Sequence, residues 1–418
     1  MIGLALAYLR DRALITAFNV LLIALGVASL AVLLLVSTQV EQRFARDSAG
    51  IDLVVGAKGS PLQLILSSVY HVDVPTGNVP VASLDLLRAD PGVARAIPLA
   101  LGDSFRGARI VGTEPAFLQI HDARNAQGRV FAATGEALVG AEAARMTGLT
   151  LGRRFSSTHG TGDDGSAHDH FALTVVGILA PTGTVTDRLI LTTVDSVWAM
   201  HGIDAPDTHA TVPGHAAHDH DHAEPKGAIL DPRGGPAPDI TAILVTYRNA
   251  MAAVRLPSAI NRETALQSAS PAAETARLLN LFGAALDGAR LFAWLVAFTG
   301  LASVFVILLS IATAREGDMA LLRVMGASRA QAAGTVLLEG LIIAAAGILL
   351  GLAAAHALLG AGAALFPTLG AVGVTPTLFH PGEFAIAAAV LGLGVLASLI
   401  PAIKVYATDL ADTLARAT

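Results

Sequence analysis

The chain has 418 residues, 53% of them hydrophobic and only 14% charged, and its mean hydropathy of +0.61 is too high for an ordinary soluble protein. The net charge of −6 and the intermixing of acidic with basic residues leave no basic stripe for nucleic acid. With no cysteine, no domain can be held by disulfides, whatever the redox state of its compartment.

Arg10 and Arg12 precede an apolar run over about residues 13–36. Spanning the hydrocarbon core takes ~20 mostly apolar residues. This run is longer than the about 7–15 residues of a signal-peptide core and lacks a clean small-x-small cleavage site, so it reads as an anchor helix. Three more stretches qualify, at about 291–314, 332–359 and 384–403. The predicted layout is a cytoplasmic N-terminus 1–12, transmembrane helix 13–38, outer domain 39–288, helix 289–314, cytoplasmic segment 315–331, helix 332–359, outer loop 360–382, helix 383–403 and cytoplasmic tail 404–418. The orientation follows from Lys and Arg, which favour cytoplasmic loops: Arg315, Arg323, Arg329, Lys404 and Arg416 lie on the predicted inner side, and 360–382 has none.

Within the outer domain, 51–55, 108–112, 171–179, 188–192 and 241–247 are rich in β-branched residues and read as strands. Residues 83–89, 136–147 and 271–286 read as helices, with Ser83 and Ser270 as N-caps and Pro271 at a first helical position. The expected fold class is thus an α-helical membrane protein with four transmembrane helices and an α+β extracytoplasmic domain inserted between the first and second. The last domain helix should run directly into the second membrane helix.

The stretch Gly56-Ala57-Lys58-Gly59-Ser60 looks superficially like a phosphate loop, but its Lys precedes the second Gly and no Ser or Thr follows it directly. The apolar run behind it, with Leu64 and Leu66, is expected to pack the domain onto the membrane or to form a lateral mouth for an amphiphile. Two further stretches, 156–170 and 204–238, read as polar loops. Nine of the thirteen histidines fall between His159 and His222. His168 and His170 flank Asp169, and His215, His218, His220 and His222 alternate with Asp219 and Asp221, a donor set that suits a borderline ion such as zinc. The competing reading is a solvated polar loop.

In the inner segment, Met319, Leu322 and Met325 form one apolar stripe of a short helix, Gly326 stops it, and Ser328 with Gln331 forms a capping box for the next helix. In that helix Gly347 and Gly351 permit close approach of a neighbour, as Gly392 and Gly394 do in the last helix. Glu339, costly in lipid, is assigned an interfacial or coupling role near the inner end, and His356 is read as a packed histidine facing small residues.

Arg315-Glu316, the run Leu322-Arg323-Val324-Met325-Gly326-Ala327-Ser328, Glu339, and Ser398-Leu399-Ile400-Pro401-Ala402 with Asp409 and Leu414 resemble the signature of the FtsX, LolC and MacB type of ABC transporter permease. The usual basic pair after Pro-Ala is here Ile403-Lys404. The resemblance implies that Arg315, Glu316, Met319, Leu322, Arg323, Met325, Gly326, Ala327 and Ser328 form the coupling helix that docks in a separate cytoplasmic ATPase. It also implies a dimer of permeases and no catalytic role for this chain. ATP and Mg would be bound by the partner, because Lys58, Lys226 and Lys404 are followed by Gly, Gly and Val, leaving no P-loop. The expected function is ATP-driven movement of the outer domain in a bacterial inner membrane, with zinc handling as the favoured specialisation. Export of a lipoprotein, peptide or amphiphile, or activation of an extracytoplasmic partner, is the alternative. Membrane lipid and a periplasmic binding or effector protein are the remaining partners implied.

Overall fold

The computed structural model describes residues 2–159, 167–203, 238–314, 323–365 and 375–407. The chain divides into two compact units, one made of Met1–Arg43 with Asn280–Thr418 and the other of Phe44–Leu279.

A short helix α1 (Ile2–Asp11) precedes α2 (Ala13–Asp47). The outer unit then runs β1 (Leu53–Ala57), α3 (Pro61–Ser68), β2 (Val79–Pro80), α4 (Ala82–Ala89), β3 (Val93–Phe105), β4 (Ala108–Thr113), α5 (Ala116–Ile120), β5 (Asn125–Gly128), β6 (Glu136–Val139), α6 (Ala141–Thr147), β7 (Arg154–His159) and β8 (Ala167–Leu179). It continues through β9 (Leu189–Thr193), α7 (Val194–Met200), β10 (Asp239–Ile240), β11 (Ala242–Tyr247), α8 (Ala250–Glu263) and β12 (Leu266–Ala269). Three long helices follow: α9 (Pro271–Ala314), α10 (Arg329–Leu365) and α11 (Pro381–Ala407).

Among the described residues, ten strands form one mixed sheet in the order β12-β1-β11-β3-β4-β9-β6-β8-β5, with β7 bridging β3 and β8, and only β4/β9 and β6/β8 pair in parallel. The central strands are apolar at consecutive positions because both faces are covered. In β1, Val54 packs with Leu64, Ile65, Leu99 and Phe117 on one face, whereas Leu53 and Val55 pack with Leu84, Leu87 and Trp198 on the other. Leu244 and its neighbours Ile243 and Val245 divide β11 the same way, as period-two geometry requires.

Four helices, α2, α9, α10 and α11, are long and apolar enough to cross a membrane. Ile23 and Val27 of α2, Leu301, Val304 and Leu308 of α9, Val336 and Ile343 of α10 and Val390 of α11 share one buried cluster. Leu291, Phe292, Phe298, Leu349, Phe384 and Leu396 stay exposed on the same helices, the surface lipid would cover.

Several expectations are corrected. Residues 136–147 are not one helix but β6, Gly140 and α6: an added Cβ at Gly140 would lie 2.3 Å from the Thr186 carbonyl oxygen, so only glycine fits that turn. Ser83 does not cap α4; the N-cap position is Val81 and Ser83 is buried in the first turn. Much of 156–170 is strand, in β7 and β8. The run behind Gly56 forms α3, capped by Ser60 and carrying Pro61 at its start, and it faces inward: Leu64 is 1% exposed in the domain core and Leu66 packs against that core. An amphiphile mouth lined by Leu64 is therefore excluded.

Candidate functional site

Among the coupling-segment residues, Arg315, Glu316, Met319 and Leu322 lie outside the described residues. From Arg323 onward the geometry is defined. The Gly326 N–H donates to the Arg323 carbonyl at 3.0 Å, and Gly326 takes φ = +103°, a region that L side chains avoid. The Ser328 N–H donates to Gln331 Oε1 at 2.8 Å while the Gln331 N–H donates to Ser328 Oγ at 3.1 Å, a complete capping box at the start of α10. Ser328 is exposed, Ala327 and Arg323 are half-buried, and Met325 is 75% exposed. The chain thus makes a sharp, self-supported turn whose apolar side chain is left uncovered by its own fold.

In the bundle, Gly347 and Gly351 of α10 lie against Ile23, Ala24 and Val27 of α2. Gly394 abuts Ala344, but Gly392 has nothing within 4 Å, so it is not part of a paired contact. Glu339 is 2% exposed on α10. His356 does not face small residues: its Nδ1 is 2.6 Å from the Pro376 carbonyl, its Nε2 3.0 Å from Glu383 Oε2, and Phe379 packs on its ring at 4.5 Å. Glu383 also accepts from the His380 N–H at 2.8 Å, so the start of α11 is tied to α10 by a polar cluster.

Of the six candidate metal-ligating histidines, His168 and His170 fall on the backbone of β8, and His215, His218, His220 and His222 lie outside the described residues. Among the described residues no three His, Cys, Asp or Glu side chains converge as a metal cage. The fold brings together other groups that no spacing announces. Asp103 of β3 and His201, just beyond α7, approach to 3.5 Å, and the carboxylate raises the imidazole pKa. His71 and His121 are buried: burial, with Arg109 nearby, pushes His71 down to about 3, and burial pushes His121 down to about 4. Both are therefore neutral near pH 7.

Four apolar helices, and after the first an α+β domain that matches a periplasmic core domain model, make this a membrane protein with an extracytoplasmic domain. Residues 16–219 match the model of the MacB-like periplasmic core domain and residues 290–410 that of the FtsX-like permease C-terminal region. The chain belongs to the FtsX/MacB-like ABC transporter permeases. Members of this family work with a cytoplasmic ABC ATPase and are permease subunits, generally non-catalytic. The periplasmic region of MacB from Actinobacillus actinomycetemcomitans aligns at 10% identity over 56% of this chain and 96% of its own, with a TM-score of 0.35. The extracellular domain of the noncanonic ABC-type transporter YknZ from Gram-positive bacteria aligns at 14% identity over 52% of this chain and 98% of its own, with a TM-score of 0.29. A comparison with curated protein sequences returns no match.

Proposed function

We propose that this chain is the mechanotransmitting permease of an ABC system, passing ATP-driven movement of a separate ATPase through its membrane helices to the outer domain. The observation that carries the reading is helix continuity: α2 and α9 each continue without a break from an apolar stretch into the sequence of the outer unit. The coupling residues from Arg315 to Ser328 supply the contact with the ATPase, both termini are cytoplasmic, and two permease copies pair. The histidine-rich tracts favour zinc handling as the specialisation. Release of a lipoprotein, peptide or amphiphile, or activation of an outer partner protein, is the competing use of the same movement.

The test exploits the absence of native cysteine. A single Met146→Cys, exposed on α6, carries a fluorophore in nanodiscs holding the permease and its ATPase. ATP should change the signal, and Gly283→Pro should abolish that change while hydrolysis persists. Gly283 lies inside α9 with nothing within 4 Å, so proline there acts through the backbone alone, at about 3 kcal/mol or more. An unchanged response in Gly283→Pro, or none in the parent, refutes mechanotransmission. In intact cells, an impermeant thiol reagent should label Met146→Cys but reach Asp11→Cys only after permeabilisation.

A further inference from the structure

We propose that His356 and Glu383 form a proton-binding site, and that the bound proton fastens the neighbouring ends of α2, α10 and α11. His356 lies towards the C-terminal end of α10 and Glu383 in the first turn of α11. Their side chains are 15% and 4% exposed, with Nε2 3.0 Å from Oε2. Ionisable groups enclosed in this way among apolar helices are costly unless paired, and they mark sites of function.

The proton count follows from what faces the ring. A neutral imidazole has one N–H and one lone pair; only the imidazolium donates at both nitrogens. His356 Nδ1 lies 2.6 Å from the Pro376 carbonyl oxygen, which can only accept. Nε2 faces Glu383 Oε2, while Glu383 Oε1 accepts the His380 N–H at 2.8 Å. An ionised carboxylate beside a neutral imidazole would therefore set a lone pair against one of two acceptors. One extra proton removes that conflict and makes the 3.0 Å contact a charge-assisted hydrogen bond.

Among the described residues, Glu383 is the charged group in contact with the ring. His380, the other titratable group at the start of α11, accepts the Gly382 N–H at Nδ1 over 3.0 Å, and Phe379 packs on the imidazole. Gln39 of α2 completes the cluster without charge. Its Oε1 accepts the Thr375 N–H at 2.8 Å, and its Nε2 donates to the Thr375 carbonyl at 3.3 Å. Thr375 and Pro376 are consecutive, so one short segment is held by α2 through Gln39 and by α10 through His356, and the same imidazole holds the start of α11. Loss of the proton would break either the tie to Pro376 or the tie to Glu383. With both termini cytoplasmic this end of the bundle faces outward, so the proton comes from the extracytoplasmic side; that direction rests on the proposed orientation, whereas the proton site does not.

Full-length protein carrying isotope-labelled histidine is followed in lipid by solid-state nitrogen NMR at neutral pH. The parent should show a pair of protonated ring nitrogens that disappears in His356→Gln and becomes a neutral-imidazole pattern in Glu383→Gln. A bare Nε2 on His356, with no protonated-carboxyl infrared band that Glu383→Gln removes, overturns the site. Nitroxides on Leu358→Cys and Leu378→Cys, both exposed in a chain without native cysteine, read the fastening. Their distance distribution should be narrow at neutral pH and broaden in alkali and in Glu383→Gln; a distribution that stays narrow in alkali overturns the fastening. The alkaline titration uses His356 and Glu383 as they stand, and so keeps the test should Glu383→Gln fail to fold. In proteoliposomes with the pH raised on one face only, broadening driven from the ATPase side overturns the orientation and leaves the proton site standing.

Discussion

A single methyl group added at Gly351 tests how the membrane helices pack. An ideal Cβ there would lie 2.7 Å from the Ala24 carbonyl oxygen and 2.7 Å from Val27 Cβ; at Gly347 it would lie 2.6 Å from Ile23 Cγ2. Carbon atoms in contact prefer about 3.5–4.0 Å, so α10 and α2 would have to separate by about 1 Å. Neither obstacle yields cheaply: Ala24 presents backbone, and Ile23 and Val27 are stiff at χ1. Overpacking of this kind costs about 1–3 kcal/mol, partly offset by the about 1 kcal/mol that alanine gains over glycine in a helix. Gly392, with nothing within 4 Å, is the matched control, because alanine there collects the propensity gain alone. Reversible unfolding in mixed micelles should place Gly351→Ala and Gly347→Ala about 1–3 kcal/mol below Gly392→Ala. Equal stability of Gly351→Ala and Gly392→Ala would refute the close approach of the two helices.

Leu64→Ala should cost about 2–5 kcal/mol in thermal or denaturant unfolding, and Leu64→Asp should prevent folding of the outer domain; a folded Leu64→Asp protein selectively defective in transfer would contradict the inward packing of α3. His71 and His121 stay neutral in the fold down to about 3 and about 4, whereas unfolded histidine takes a proton below about 6.5. Stability is then fully present above pH ~6.5 and falls as the pH drops towards 4, and His121→Phe, which keeps the contact with Phe117, should flatten that acid limb in melts followed by circular dichroism. Glu136 works at lower pH: held by Arg129 and the Ala132 and Ala133 N–H groups, its carboxyl is lowered to about 2, so its contribution is present above the unfolded value near 4.5 and lost as pH falls towards 2. Glu136→Gln should lose stability at neutral pH and converge with the parent at the acid end. Gly326→Val, forced into φ = +103°, should leave α10 intact but reduce ATPase coupling in proteoliposomes; full coupling would show that the turn before Ser328 is not needed.

What was readable in the sequence was what local chemistry dictates. Long apolar runs give the membrane helices, β-branched runs give β1, β4, β9 and β11, and Ser328 with Gln331 makes its capping box within four residues. β3 was hidden by Pro98 and Gly102, which ordinarily break strands. It survives because Pro98 turns its carbonyl to the Thr113 hydroxyl at 2.8 Å, and because the register shifts between Leu101 and Ser104, where Gly102 takes φ = +152°. Asp103 and His201 could not be paired from spacing, since only the sheet register and the end of α7 bring them together. The glycines of α10 were ambiguous in an alanine- and glycine-rich chain until the opposing atoms of α2 were known: Gly351 is closed in, Gly392 is open.

The two helices that flank the outer unit bear on the proposed transmission of movement. At 1.5 Å per residue, the 35 residues of α2 and the 44 of α9 give about 52 Å and about 66 Å, against a hydrocarbon core of about 30 Å. Each helix therefore has at least several turns beyond what spanning needs. On α2, that extra length ends at Asp47, whose carboxylate accepts the buried Val185 N–H at 2.7 Å, while Phe44 packs on Tyr70 at 4.7 Å. On α9, Tyr70 reaches Thr275 by a hydroxyl contact at 2.5 Å. Phe44, Tyr70 and Thr275 thus link the domain-side ends of α2 and α9 through one aromatic ring. A flexible linker would dissipate a displacement; under the proposed mechanism, two helices seated in a common core would deliver it to the β-sheet. That is the physical reason to place the proline test in α9, ahead of its apolar stretch.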